Sequence, residues 1–145
     1  MAVHHDLSIH IDGARGTKLR VASAVVDEGL SSRTRVVARF LASLDDPTRG
    51  DASWPRSLLG QRAEVTIEGP VAGVITTRRL LLIVASVGLA ELDGDDEVYR
   101  LELVDPMAPL GHGLGTRKFP NARTEDIVVR VLSEHGIASR VELTS

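Results

Sequence analysis

The sequence has no cysteine, which excludes disulfides, thiolate metal sites and cysteine nucleophiles. Aromatic side chains are almost as scarce: Phe40, Trp54, Tyr99 and Phe119 are the only four in 145 residues. Single-stranded nucleic acids are held on several stacked aromatics, and nothing of that kind is available here. A basic surplus is also missing. Lys and Arg number 17 against 20 Asp and Glu, a net charge of −3, whereas a phosphate-binding surface calls for a basic face. No nucleic acid is expected as a partner. The longest apolar run, Leu80 to Ala90, covers eleven residues, about half of the roughly 20 that a membrane-spanning helix needs. It is a core or interface segment, and no membrane span is expected. Met1 to Asp12 carries His4, His5 and Asp6 and lacks the apolar stretch of a signal peptide.

What remains is 43% hydrophobic and 26% charged, the profile of a globular chain, long enough for one domain with its own core. That core has to be made of Leu, Ile, Val and Ala. Most of the chain alternates apolar and polar residues with period two, the signature of half-buried strands. Leu7, Ile9 and Ile11 alternate with Ser8, His10 and Asp12. Gly13 to Gly16 supplies a turn, and Leu19, Val21, Ser23 and Val25 share one side of a second strand. Val36, Ala38, Phe40 and Ala42 share a face between Arg35 and Ala42. The cleanest alternation runs from Arg62 to Glu68, with Ala63, Val65 and Ile67 on the apolar side. Asp45 to Ser53 reads as a loop, and Trp54 to Leu59 as a helical turn with Pro55 near its start and Gly60 at its end. The long stretch from Val71 to Glu91 is expected to pair with Glu97 to Val104 across a turn at Asp93 to Asp96.

After Asp105 the pattern changes. Residues 106–123 are rich in Gly and Pro and read as an irregular connection. Residues 124–136 have helical spacing: Thr124 as N-cap, Glu125 and Asp126 in the first turn, Ile127, Val128, Val131 and Leu132 as one stripe, Gly136 at the C-terminal cap. The expected class is mainly β, an antiparallel barrel-like domain over residues 1–105 with one helix near the C-terminus, together a single domain over 1–145.

Reactive groups are present but not assembled. His4, His5 and His10 lack the preorganised geometry of a metal site. His112 lies between glycines, and His135 falls in the last helical turn, where a cation suits the dipole. Asp93-Gly94-Asp95-Asp96-Glu97 lacks the central glycine and spaced glutamate of a calcium loop, and reads as a hairpin turn. Gly111-His112-Gly113-Leu114-Gly115 has no strand-to-helix context and is no phosphate cradle. No serine sits in a nucleophile elbow, and the carboxylate pairs occur in polar turns, where solvent keeps them ordinary. No metal, cofactor or catalytic residue is assigned, and no enzymatic activity is expected.

Three segments, in order, are similar to the start of VgrG spike proteins and related phage baseplate hub (late control) proteins of contractile injection systems. The first is Ser57-Leu58-Leu59-Gly60-Gln61 leading into Ala63-Glu64-Val65-Thr66-Ile67. The second is Ala72-Gly73-Val74-Ile75-Thr76, although Val71 and Ala72 stand where the family often has an aromatic-His pair. The third is Tyr99-Arg100-Leu101-Glu102-Leu103, followed by Arg117-Lys118-Phe119-Pro120-Asn121 and a helix ending in Glu134-His135-Gly136. The resemblance covers most of residues 33–137. It implies a tail-tube-like, hub-like β-barrel that acts by assembly: three copies closing into a ring that docks on an Hcp-like tube, beside other baseplate or spike subunits. It also implies assembly in the cytoplasm into an injected or extracellular tail-like particle. Family members continue through further hub, OB-like and needle segments, so the expectation for these residues is a fragment, a split-gene product or a free-standing hub-like subunit, without a needle role of its own.

A ring subunit needs strands that are apolar on both faces, one for its own interior and one for its neighbour. Leu80 to Ala90 meets that demand, with Leu81, Ile83, Ala85, Val87 and Leu89 on one side and Leu80, Leu82, Val84 and Ser86 on the other. Burying each large aliphatic side chain contributes about 1.5–3 kcal/mol. Leu80, Leu81, Leu82, Ile83, Val84, Val87 and Leu89 are therefore the candidate subunit interface. The competing readings are a strand covered by the chain's own 124–136 helix, a tube or baseplate adaptor subunit of the same machine, and a small ligand-binding β-barrel.

Overall fold

The alternating stretches fold as strands, and a computed structural model describes residues 6–12, 20–30, 32–42, 54–93, 96–112 and 116–139. The strands are β1 (Asp6–Ile11), β2 (Arg20–Gly29), β3 (Ser32–Ala42), β4 (Arg62–Val71), β5 (Val74–Asp93) and β6 (Asp96–Val104). They form one antiparallel sheet in the order β1-β4-β5-β6-β3-β2. One turn of helix, α1 (Trp54–Ser57), precedes β4. A 3-10 turn (Ala108–His112) and the longer helix α2 (Thr124–Glu134) follow β6. The class is the expected one: mainly antiparallel β with a helix near the C-terminus. The chain divides into two compact units, Met1–Asp105 and Pro106–Ser145. The expected turn at Gly13 to Gly16, the loop at Asp45 to Ser53, His4 and His5 lie outside the described residues. So do Gly94, Asp95 and Gly113 to Gly115.

In the first unit the sheet curls into a half-barrel, and strand register decides which residues fill it. Val36, Ala38 and Phe40 of β3 stand opposite Leu103, Leu101 and Tyr99 of β6. Those three in turn stand opposite Val84, Val87 and Leu89 of β5. Ile9 and Ile11 of β1 and Ala63 and Val65 of β4 complete the interior, all nearly inaccessible to solvent. Phe40 and Tyr99 stack with ring centroids 5.5 Å apart, a geometry that adds about 0.5–1.5 kcal/mol to their burial. Leu58 plugs the barrel from the segment after α1 and is fully buried. Gly60, at φ 75°, then turns the chain so that its N–H donates to the Val84 carbonyl at 2.9 Å, while the Val84 N–H donates to Gln61 at 3.0 Å. The Leu-Leu-Gly segment thus serves as a buried plug, an exposed residue and a left-handed turn.

Two features correct the expected strand faces. The β2 register shifts between Val21 and Ser23, a bulge that reverses the facing of the side chains after it as far as Asp27, where a second shift follows. Val21, Ala24 and Val26 are the residues packed against the core, and Val25 is exposed. The stretch from Val71 to Glu91 is not one strand either. Val71 ends β4, and Ala72 and Gly73 take φ of 50° and 82°, the two positive values of a type I′ hairpin turn. Residues 74–83 then pair with β4, and residues 83–93 pair with β6 as expected.

The second unit is organised around α2. Arg123, with extended backbone, holds the N-cap position and makes no side-chain cap bond, so Thr124 is the first helical residue rather than the cap. At the other end Gly136, at φ 68°, closes a Schellman motif. Its N–H donates to Ser133 and the Ile137 N–H donates to Leu132, both at 3.0 Å.

Candidate assembly surface

The candidate interface strand is β5, and its own register determines what it shows to solvent. Leu80, Leu82 and Val84 point inward: Leu82 and Val84 are buried, and Leu80 packs partly against the core. The register then shifts between Val84 and Ser86 and again between Leu89 and Glu91. With one residue skipped, Val87 joins the inner face opposite Leu101, and Leu89 stands opposite Tyr99. Leu81 is 70% exposed, Ile83 is half-buried, and Leu89 is 55% exposed. The expected outward row of Leu81, Ile83, Ala85, Val87 and Leu89 is therefore broken by the bulge. Beyond Ile83 the outward positions belong to Ser86 and Gly88, opposite Glu102 and Arg100.

Toward the N-terminal end of β5, Ile75 continues the outward parity of Leu81, while Val71 and Val74, opposite one another, are exposed on the other face beside the hairpin turn. The sequence reading missed these residues. The available signal was two Val residues flanking a two-residue Ala-Gly step, a weaker mark of a hairpin than Asn-Gly.

Ion pairs cover the rest of the outer face. Arg35 Nε donates to Glu102 Oε1 at 2.7 Å. That hydrogen bond and its charge hold the Glu102 carboxyl below the ordinary carboxylate range, and raise Arg35 in turn. Arg39 pairs with Glu91, which offsets the like charge of Arg100 directly opposite Arg39. Arg79 lies 3.9 Å from Glu64. On the other face, Arg78, opposite Ile67, reaches Glu28 of β2 at 2.5 Å.

Within the second unit the Arg117–Asn121 element is joined to the end of α2. Arg117 pairs with Glu134 and, through that hydrogen bond, holds the Glu134 carboxyl below its ordinary range. Arg130 lies over the Phe119 ring, 5.9 Å from its centroid, and 3.5 Å from Glu134. Asn121 takes φ 57°, a left-handed conformation that asparagine tolerates better than most residues. His135 Nδ1 lies 3.0 Å from the Val131 carbonyl oxygen. His10 is exposed on β1. Among the described residues no group of three His, Asp or Glu side chains is placed to hold a metal. No helix among them is long and apolar enough to cross a membrane.

The profile of the phage tail baseplate hub (GPD) family matches residues 27–145, a span that begins in β2 and runs through α2. The chain belongs to the phage tail baseplate hub family. Among solved structures, the E. coli c3393 protein is similar over 87% of this chain with a TM-score of 0.63 and 21% identity. That protein is described as a component of the type VI secretion system with structural similarity to the T4 bacteriophage tail proteins gp27 and gp5. The chain spans 31% of its length. No curated protein sequence matches the chain.

Proposed function

We propose that the chain is a structural subunit of a contractile injection apparatus, a spike or baseplate hub that docks on the inner tube and works by assembly rather than catalysis. The observation that carries this reading is the family match, which runs without interruption from the sheet into the C-terminal helix. The fold similarity to a type VI secretion component supports it. Leu81 and Ile75 are exposed on the outer face of β5, apolar positions that an assembly partner can cover. Among the described residues the interior is packed with the chain's own side chains, Ile9, Val36, Phe40, Leu101 and Leu103 among them.

In this reading residues 1–145 act as one hub-like domain and three copies close into a ring. The ring partners an Hcp-like tube protein and other baseplate or spike subunits. It is assembled in the cytoplasm and carried in a tail-like particle. Leu81, Ile83 and Leu89 are the candidate interface positions left accessible, while Leu80, Leu82, Val84 and Val87 support them from the core side. Electron microscopy of the purified chain mixed with the tube protein encoded beside it tests the reading. Rings capping tube ends are expected; bare tube ends beside single subunits would contradict it.

A further inference from the structure

The ion pairs of the outer face leave Arg100 out. In a chain of net charge −3, β3 carries Arg33, Arg35 and Arg39 and no acidic residue. Arg39 stands directly opposite Arg100 of β6, and like charges so placed oppose strand pairing. Glu91 pairs with Arg39 from β5, on the far side of β6, so the Arg39 side chain lies across β6 beside Arg100. One carboxylate thus serves two guanidinium groups. The next carboxylate along the face is Glu102, which feels the Arg100 charge but accepts its hydrogen bond from Arg35. Among the described residues Arg100 makes no hydrogen bond or ion pair.

Small residues flank this pair. Ser23 of β2 is opposite Arg39, and Gly88 of β5 is opposite Arg100. Both are exposed, and a Cβ added at Gly88 would meet nothing within 4 Å. The row Ser23–Arg39–Arg100–Gly88 therefore lays two cations across four strands, with open space at its β5 end. Acids at the flanking positions would have neutralised the second arginine within the sheet, and none is there. A local rule broken without internal compensation is characteristic of a functional surface.

We propose that the Arg39–Arg100 row is a docking site for a carboxylate on an acidic polypeptide segment of a neighbouring tail subunit. It rests on the hub reading only for the source of that segment. A carboxylate entering over Gly88 accepts the planar donor fork of Arg100, the geometry in which arginine binds carboxylates best. Arg39 beside it adds a second positive charge, and its exposed pair with Glu91 is weak enough to share or exchange. A nucleic acid does not fit. Asp27, Glu91 and Glu102 lie on the same face and repel a chain of phosphates, whereas a single carboxylate reaches the arginines between them.

The probe is a tetraglutamate peptide titrated into the full chain, with arginine Nε–H signals followed by NMR. Arg39 and Arg100 are expected to shift together and saturate, while Arg62, exposed on the same outer face opposite Ile83, stays in place. Arg100→Gln should weaken the peptide about five-fold, the scale of an exposed charge contact, with an unchanged circular dichroism spectrum. Arg62→Gln should leave it unaltered. Equal losses from the two variants, no saturable shift, or tighter binding of an oligothymidylate at the same arginines would each overturn the site. Rings on tube ends without a peptide shift would overturn it and leave the hub reading standing. Peptide bound at the row by a chain that forms no ring would uphold the site and overturn that reading.

Discussion

Ala72 adopts φ 50° without the freedom of a glycine, a conformation that costs an ordinary L-residue about 1–2 kcal/mol. Asparagine relieves that strain by bonding locally, and Asn-Gly is the favoured pair of a type I′ turn. Ala72→Asn is therefore expected to stabilise the chain by about 1 kcal/mol in urea unfolding; an unchanged or lower midpoint would contradict the assigned turn. At Glu102 the relevant variable is pH. Its folded carboxyl titrates below the unfolded one because Arg35 donates to it. The pair's contribution is complete above the ordinary carboxylate range, near pH 4.5, and is lost as pH falls through the depressed value. Glu102→Gln should flatten this acid limb and lower the neutral plateau slightly, read as urea midpoint against pH. A limb of unchanged slope would remove Glu102 from the linkage.

Elements differ in how plainly the sequence announces them. β1, β3 and β4 were legible because strict alternation, as in Ala63, Val65 and Ile67, leaves one register that buries the apolar set. β2 and β5 were legible as strands but not in their facing. Their bulges skip small residues such as Ala22, Ala85 and Ala90, which fit either face and leave no mark in the pattern. The interface segment was found for its greasiness, but Leu82 and Val84 are used in the chain's own core. The exposed hairpin end next to it was hidden by an unremarkable Ala-Gly turn. In α2 the stripe and Gly136 were readable, whereas the cap was misplaced by one residue. The join between Arg117-Lys118-Phe119 and Glu134 is a contact between segments far apart in sequence, which no local pattern encodes. It also gives these motif residues a physical role, since they fasten the connection to the helix. Arg117→Ala with Phe119→Ala is expected to raise amide exchange in the last turn of α2 while exchange in β3 and β6 stays unchanged. Equal protection in both proteins would show that the join contributes nothing to the helix end.

At the scale of the whole molecule, the described interior is filled by the chain's own side chains, and exposed apolar residues remain on β5 at Val74, Ile75, Leu81 and Leu89 as well as at Val25, Leu30 and Leu59. A subunit built this way gains from neighbours without needing them to fold, which suits a part that must be made singly and then assembled. Heterologous surfaces set the number of copies by the angle between successive contacts, so a closed count is the quantity on which the hub reading stands. Electron microscopy of the chain with its tube protein measures that count most directly. The expected images are three-subunit rings seated on tube ends. Tubes that end bare, with the chain dispersed as single barrels, would contradict the assignment.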